Sequence, residues 1–134
     1  MTATAEEQAL RDRIRLREDG IIQWTEVERP SEYVMQLFRE EILEKAPPGP
    51  VDILIDLTGA GRPNAAAREG LRALFVSIPS LGAVAAYTER NLLLNSAARF
   101  VLRRSCPGCS SVHKTKQEAL DAIAAARAER SAPQ

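Results

Sequence analysis

The apolar run "VDILIDL", residues 51 to 57, ends in Thr58-Gly59-Ala60-Gly61-Arg62-Pro63-Asn64, a glycine bend that leads into a helix-like stretch. Such a bend can turn backbone amides at a helix start toward an anion, with Arg62 and Arg68 adding positive charge. It is not a dinucleotide fingerprint. The third glycine position holds Asn64, the bend follows the chain's third strand rather than its first, and no P-loop Lys-Ser/Thr comes after it. The simpler reading is that Gly59 and Gly61 relieve backbone strain in a tight strand-to-helix turn. Asp52 and Asp56 occupy alternate positions of the preceding run, so a strand turns both to one face. Asp56, nearer the C-terminal end, is the one placed to meet the loop, as an acceptor of loop amides or as an acid/base group.

Cys106-Pro107-Gly108-Cys109 forms a second cluster, with the chain's single histidine, His113, four residues further on. A CxxC pair after a strand, at a helix N-terminus, acquires a low thiol pKa. This one follows a helix, whose carbonyl end opposes the thiolate. As zinc donors, Cys106, Cys109 and His113 are three where a structural site takes four, and the chain holds no third Cys or second His. A plain turn with two thiols is expected, and no metal or other cofactor. No Gly-x-Ser-x-Gly elbow is present. A third cluster is basic: from Arg90 to Lys116 there are six basic residues and no acidic one. Helical spacing puts Arg99 and Arg103 on one face with Arg104 beside it, a solvated surface or a face for an acidic partner, a phosphoryl group or an anionic headgroup.

The elements that position these clusters alternate along the chain. Arg13-Ile14-Arg15-Leu16-Arg17 has the period of a half-buried strand, Asp19-Gly20 signals a two-residue hairpin turn, and "IIQWTEV" returns with Trp24 in or beside the core. Ser31 caps a helix bearing Val34, Leu37, Phe38 and Ile42 on one face, and "PPGP" stops it. "VDILIDL" reads as a central, doubly covered strand. Asn64 caps a second helix with a stripe of Ala67, Leu71, Leu74 and Phe75, and "GAVAAYT" is a short buried strand. Thr88 is expected to cap a third helix carrying Leu92, Leu93, Ala97, Phe100 and Val101. "SSVHKT" is a brief strand and "KQEALDAIAAAR" a closing helix. The order is β-β-α-β-α-β-α-β-α, which implies an α/β domain: a β-hairpin start, then alternating α and β in a mixed, mostly parallel sheet flanked by helices. One domain is expected over residues 11–126, with flexible segments at 1–10 and 127–134.

The 134 residues suit a single core. Net charge is zero and aromatic residues are only 4%, which gives neither the basic excess nor the stacking platform of a nucleic-acid binder. No apolar run is long enough to span a membrane, and the acidic start "MTATAEEQAL" is unlike a secretory signal, so a cytoplasmic location is expected.

The hairpin "RIRLREDGIIQW", the strand "VDILIDLTGAG", "AAREGL", "GAVAAYTERN" and the closing "CPGCSSVHKTKQEALDAI" together resemble the SpoIIAA-like proteins of the STAS/SEC14 group, over roughly residues 13 to 124. The resemblance implies a STAS-like domain that binds proteins or small ligands without catalytic machinery of its own. In the anti-sigma factor antagonists of that group, a serine in a "DSSG" loop is phosphorylated and switches partner binding. Here Asn64 and Ala65 stand near the expected Asp-Ser, no hydroxyl residue lies between Thr58 and Ser77, and Thr58 sits one segment early. The expected module is therefore a regulatory, protein-interaction domain without the phosphoserine switch, presenting Thr58 to Arg68 to a protein partner. The SEC14 side of the resemblance implies an alternative, a small apolar or lipid ligand lined by Leu92, Leu93, Leu94, Phe100 and Val101. A CxxC-based metal or redox protein is a third reading. Apolar helix faces leave room for a homodimer.

Overall fold

The computed structural model describes residues 4–89, 92–106 and 108–131, the side chains of 92 and 93 excepted. Helix α1 (Ala5–Arg11) precedes a hairpin of β1 (Ile14–Leu16) and β2 (Ile22–Thr25); α2 (Glu32–Lys45), β3 (Val51–Asp56), α3 (Ala65–Ser77), β4 (Leu81–Tyr87), α4 (Leu92–Ser105), β5 (Ser110–His113) and α5 (Lys116–Ser131) follow. The strands form one sheet in the order β1-β2-β3-β4-β5, antiparallel at the hairpin and parallel elsewhere. The expected α/β class is present, and β3 takes the central position that its apolar run requires. Every parallel connection steps to the next strand in the same direction, so right-handed crossovers carry α2, α3 and α4 to one face. There Trp24, Ile53, Ile55, Val84 and Ala86 meet Phe38, Leu74, Phe75, Ala98 and Leu102. Trp24 packs edge-on against Phe38, with ring centroids 5.7 Å apart. Helix α5 makes no return crossover and closes the opposite face, where Ala119 and Ile123 cover Ile21, Leu54, Ala85 and Tyr87.

Several local expectations are corrected. The hairpin loop holds Glu18, Asp19 and Gly20 rather than two residues. Arg17 and Ile21 still pair (Arg17 N–H to Ile21 O, 2.9 Å), and Gly20 takes the left-handed φ of 81° that a three-residue loop needs. Ser31 and Asn64 cap α2 and α3 as expected, accepting from the amides of Val34 (3.2 Å) and Ala67 (2.8 Å). Thr88 does not cap α4: the helix begins at Leu92, and the buried Thr88 hydroxyl has no hydrogen-bond partner among the described residues. The buried face of α4 is Leu94, Asn95, Ala98, Val101 and Leu102, while Phe100 is 60% exposed beneath Arg104. Choosing the largest residue set the expected stripe off phase, because Phe100 lies about 200° around the helix from Ala98. The side chains of Leu92 and Leu93 lie outside the described residues.

Helix occupies residues 5–10 and 127–131 of the two end segments expected to be flexible. Helix α1 lies on α2, where Arg11 pairs with Glu41 (2.9 Å) and Glu40 (3.3 Å) and Tyr33 donates to Glu7. Helix α5 runs through Ser131, and its last turns hold Asp52, which is 1% exposed at the start of β3. The Asp52 carboxylate accepts from Arg127 Nε (2.7 Å), from Arg130 Nη1 (3.0 Å) and Nη2 (2.9 Å), and from the Ala83 amide (2.8 Å). Even spacing placed Asp52 on the face that α5 covers, and a buried carboxylate requires such partners.

Candidate functional site

The strand C-termini, at the helix-covered face, meet over an apolar slot of about 40 Å³. Trp24 and Ile55 form its floor, Ala67 and Leu71 of α3 and Leu94, Ala98, Val101 and Leu102 of α4 its walls. Its roof consists of two loops, Glu26 to Pro30 after β2 and Leu57 to Pro63 after β3. Open parallel sheets bind ligands at this end, where successive loops diverge. Two hydrogen bonds tie the roof loops together: Gly61 N–H to Glu28 O (3.0 Å) and Asn64 Nδ2 to Pro30 O (2.9 Å). Neither Gly59 nor Gly61 has a positive φ, so strain relief is not their role. Gly61 is required for close approach, since a Cβ there would stand 2.9 Å from the Glu28 carbonyl oxygen; at Gly59 a Cβ would meet nothing within 4 Å.

Two of the lining residues, Glu26 and Trp24, carry a buried polar group. Glu26 is 7% exposed, its Oε1 accepting from the Val27 amide (2.9 Å). Burial pushes its carboxyl up to about 7, against the opposing effects of that hydrogen bond and of Arg13. Arg13 itself donates to the carbonyls of Thr25 (3.3 Å) and Glu26 (3.2 Å). Trp24 is 0% exposed, and its indole Nε1–H has no acceptor among the described residues. Sequence reasoning took Trp24 for core and missed Glu26. The signal was present, because Ile22, Trp24 and Glu26 alternate onto one side of the same extended segment.

The residues singled out in the loop are drawn to different tasks. Arg62 and Gly61 line the slot, and Arg62 is exposed. Asn64 holds the helix cap and the roof, and Asp56 accepts from the Thr58 amide (2.9 Å). Burial, then the Asp56 charge and hydrogen bond, push the neighbouring Tyr87 hydroxyl up. Thr58 is half-buried and Gly59 exposed; Arg68 is exposed on α3 and donates to Pro63 O (3.2 Å). The basic residues divide as well. Arg99 and Arg103 line a hollow beside β5, with Arg99 donating to Val112 O (3.3 Å). Arg104 instead faces a hollow with Arg68, Arg72 and Phe100. Arg90 lies outside the described residues.

Cys106 and Cys109 are joined as a disulfide, not left as two thiols. Gly108, at φ 79°, turns the chain so that the cysteines meet, and the Cys109 carbonyl accepts from Val84 N–H (2.9 Å). Pro107 lies outside the described residues. His113 does not join them: its Nε2 lies 2.8 Å from Ser111 Oγ, and burial lowers its pKa. Among the described residues no three His, Cys, Asp or Glu side chains converge on a common metal position, and no helix is long and apolar enough to cross a membrane. No protein-family model, curated protein or solved structure matches the chain, and its reading rests on the geometry just described.

Proposed function

We propose that this chain is a non-enzymatic, STAS-like regulatory module that takes a short aliphatic ligand, or the aliphatic end of a longer one, into the slot between α3 and α4. The observation that carries the reading is an apolar cavity at the strand C-termini, walled by Leu71, Leu94, Val101 and Leu102, with the buried Glu26 among its lining residues. Few convergent polar groups in an apolar cleft are the usual anatomy of a small-molecule site. The polar groups nearby support a binding role over catalysis, since Asp56 is engaged by the Thr58 amide and His113 lies beside Ser111. Exposed Gly59, Arg62, Ala65 and Arg68 favour a second, compatible reading, in which the roof loop meets a protein partner. Because that loop lines the slot, ligand occupancy alters the surface offered to the partner. The loop lacks a serine, and the module works without a phosphoserine switch.

Methyl NMR tests the ligand reading. A four-heavy-atom probe such as isobutene is expected to shift the methyl resonances of Leu71, Leu94, Val101 and Leu102 and leave those of Ile21 and Ile123, on the far face, unmoved. A ceiling of about 1.5 kcal/mol per non-hydrogen atom sets the tightest dissociation constant for such a probe near 40 μM, about 6 kcal/mol. Absence of slot-methyl shifts at saturating probe refutes the reading.

A further inference from the structure

Beyond the slot, we infer that the outer surface of α3 and α4 is a docking site for an acidic polypeptide segment, in which carboxylates flank an apolar side chain. The two helices hold five arginines, Arg68, Arg72, Arg99, Arg103 and Arg104, against one carboxylate, Glu69. Their local charge is therefore +4 in a chain of zero net charge, which leaves −4 for the rest and steers an anionic partner to this side. Arg68, Glu69 and Arg72 of α3 face Phe100 and Arg104 of α4 across an open hollow of about 510 Å³. Clefts of this size hold groups much larger than a single ion. Arg72 and Arg104 have no hydrogen bond or ion pair among the described residues, and Arg68 donates to the Pro63 carbonyl (3.2 Å). The two most exposed large apolar side chains among the described residues stand on these same helices. Phe100 is 60% exposed under the Arg104 guanidinium (5.5 Å to the ring centroid), and Val76, one turn beyond Arg72, is 81% exposed. Arginine beside an exposed aromatic ring is the composition of interface hot spots. Neither helix contains a lysine, so every cation here is the planar guanidinium that grips a carboxylate with two N–H groups. A lipid surface takes a continuous apolar helix face, whereas these two apolar side chains are set among arginines and Glu69. Arg68 and Arg72 stand about 6 Å apart along α3, with Arg104 on the opposite wall. Charge spread in this way suits single carboxylates spaced along a polypeptide.

Fluorescence anisotropy tests the assignment with a labelled peptide of glutamates around a central leucine, and with glutamines in their place as the uncharged control. At low salt the acidic peptide is expected to bind about tenfold more tightly than the control, and to weaken as salt is raised. Arg72→Gln and Arg104→Gln each remove one exposed charge and should weaken binding about threefold to fivefold. Phe100→Ser should weaken it by a similar factor while leaving its salt dependence in place. Arg15→Gln, the same charge change on an exposed residue of β1, should leave the affinity within about twofold. Equal affinity for the two peptides, or a loss in Arg15→Gln as large as in Arg72→Gln, would overturn the inference. A preference of the wild-type chain for phosphatidylserine vesicles over the peptide, or a dimer that Arg72→Gln dissociates, would also overturn it, since a lipid surface or a second copy is then the occupant. The hollow shares only Val101 with the slot, so each of these results leaves the slot reading to its own methyl test.

Discussion

Removing the Asp52 carboxylate tests how the two faces of the sheet are held. In Asp52→Ala the Ala83 amide loses its acceptor, at a cost of about 1–3 kcal/mol for a buried donor. Arg127 and Arg130 lose an anion that is 1% exposed. Breaking a buried pair costs about 3–5 kcal/mol, but both arginines are about one-third exposed and can turn to water, which favours the low end. These effects overlap, and the expected loss is about 3 kcal/mol. With an m-value near 2 kcal/mol/M, the urea midpoint falls by about 1.5 M. Asp52→Asn keeps an acceptor for Ala83 and should lose about half as much. Amide exchange should accelerate first along Lys116–Ser131, because α5 is the element that the carboxylate anchors. Burial raises the Asp52 carboxyl, but hydrogen bonds from Arg130, Arg127 and Ala83 outweigh it and hold the group below its ordinary 3.8. Its contribution is therefore complete above the unfolded value and disappears as pH falls through the folded one. A loss under about 0.5 kcal/mol in Asp52→Ala, or α5 exchange no faster than wild type, would refute the reasoning.

Glu26 has the opposite sign. With its carboxyl raised from 4.5 to about 7, its contribution is full below 4.5 and is lost as pH rises through 7, by at most about 3 kcal/mol. Urea melts of Glu26→Gln should show higher stability than wild type at pH 8 and a smaller difference at pH 5. Asn64→Ala removes the α3 cap and the bond to Pro30, and should lower the unfolding free energy by about 1–2 kcal/mol while broadening slot resonances. Reducing Cys106–Cys109 opens a very short loop, and the urea midpoint in dithiothreitol should drop by an amount equal to about 2 kcal/mol or less.

The α/β class was legible because period two and period 3.6 alternate cleanly along the chain, with Ser31 and Asn64 marking helix starts by residue type alone. The near-continuous apolar run at 51 to 57 was enough to place β3 centrally. The phase of α4 was not legible: Ala98 and Leu102 carry its buried face while the larger Phe100 points outward, and residue size outweighed spacing. The slot was half visible. Alternation aligned Glu26 with Trp24, but the carboxyl's burial depends on loops that close over it from other parts of the chain. Asp52's partners were hidden for a related reason. Arg127 and Arg130 lie 75 and 78 residues away in an Ala-rich segment that looks like polar tail in one dimension.

Because one late helix covers β3, β4 and β5 on one side of the sheet, the order of synthesis matters. The first four strands and three of the helices can assemble on the ribosome as each strand joins its predecessor, each step local in the chain. Throughout that interval Ile21, Leu54, Ala85 and Tyr87 face water, and Asp52 lacks its two arginines. At about 5–20 residues per second the gap between finishing β4 and releasing Arg130 is several seconds. Nascent chains of this protein therefore pass through a stage with one sheet face finished and the other adhesive, the stage at which a chaperone would engage them.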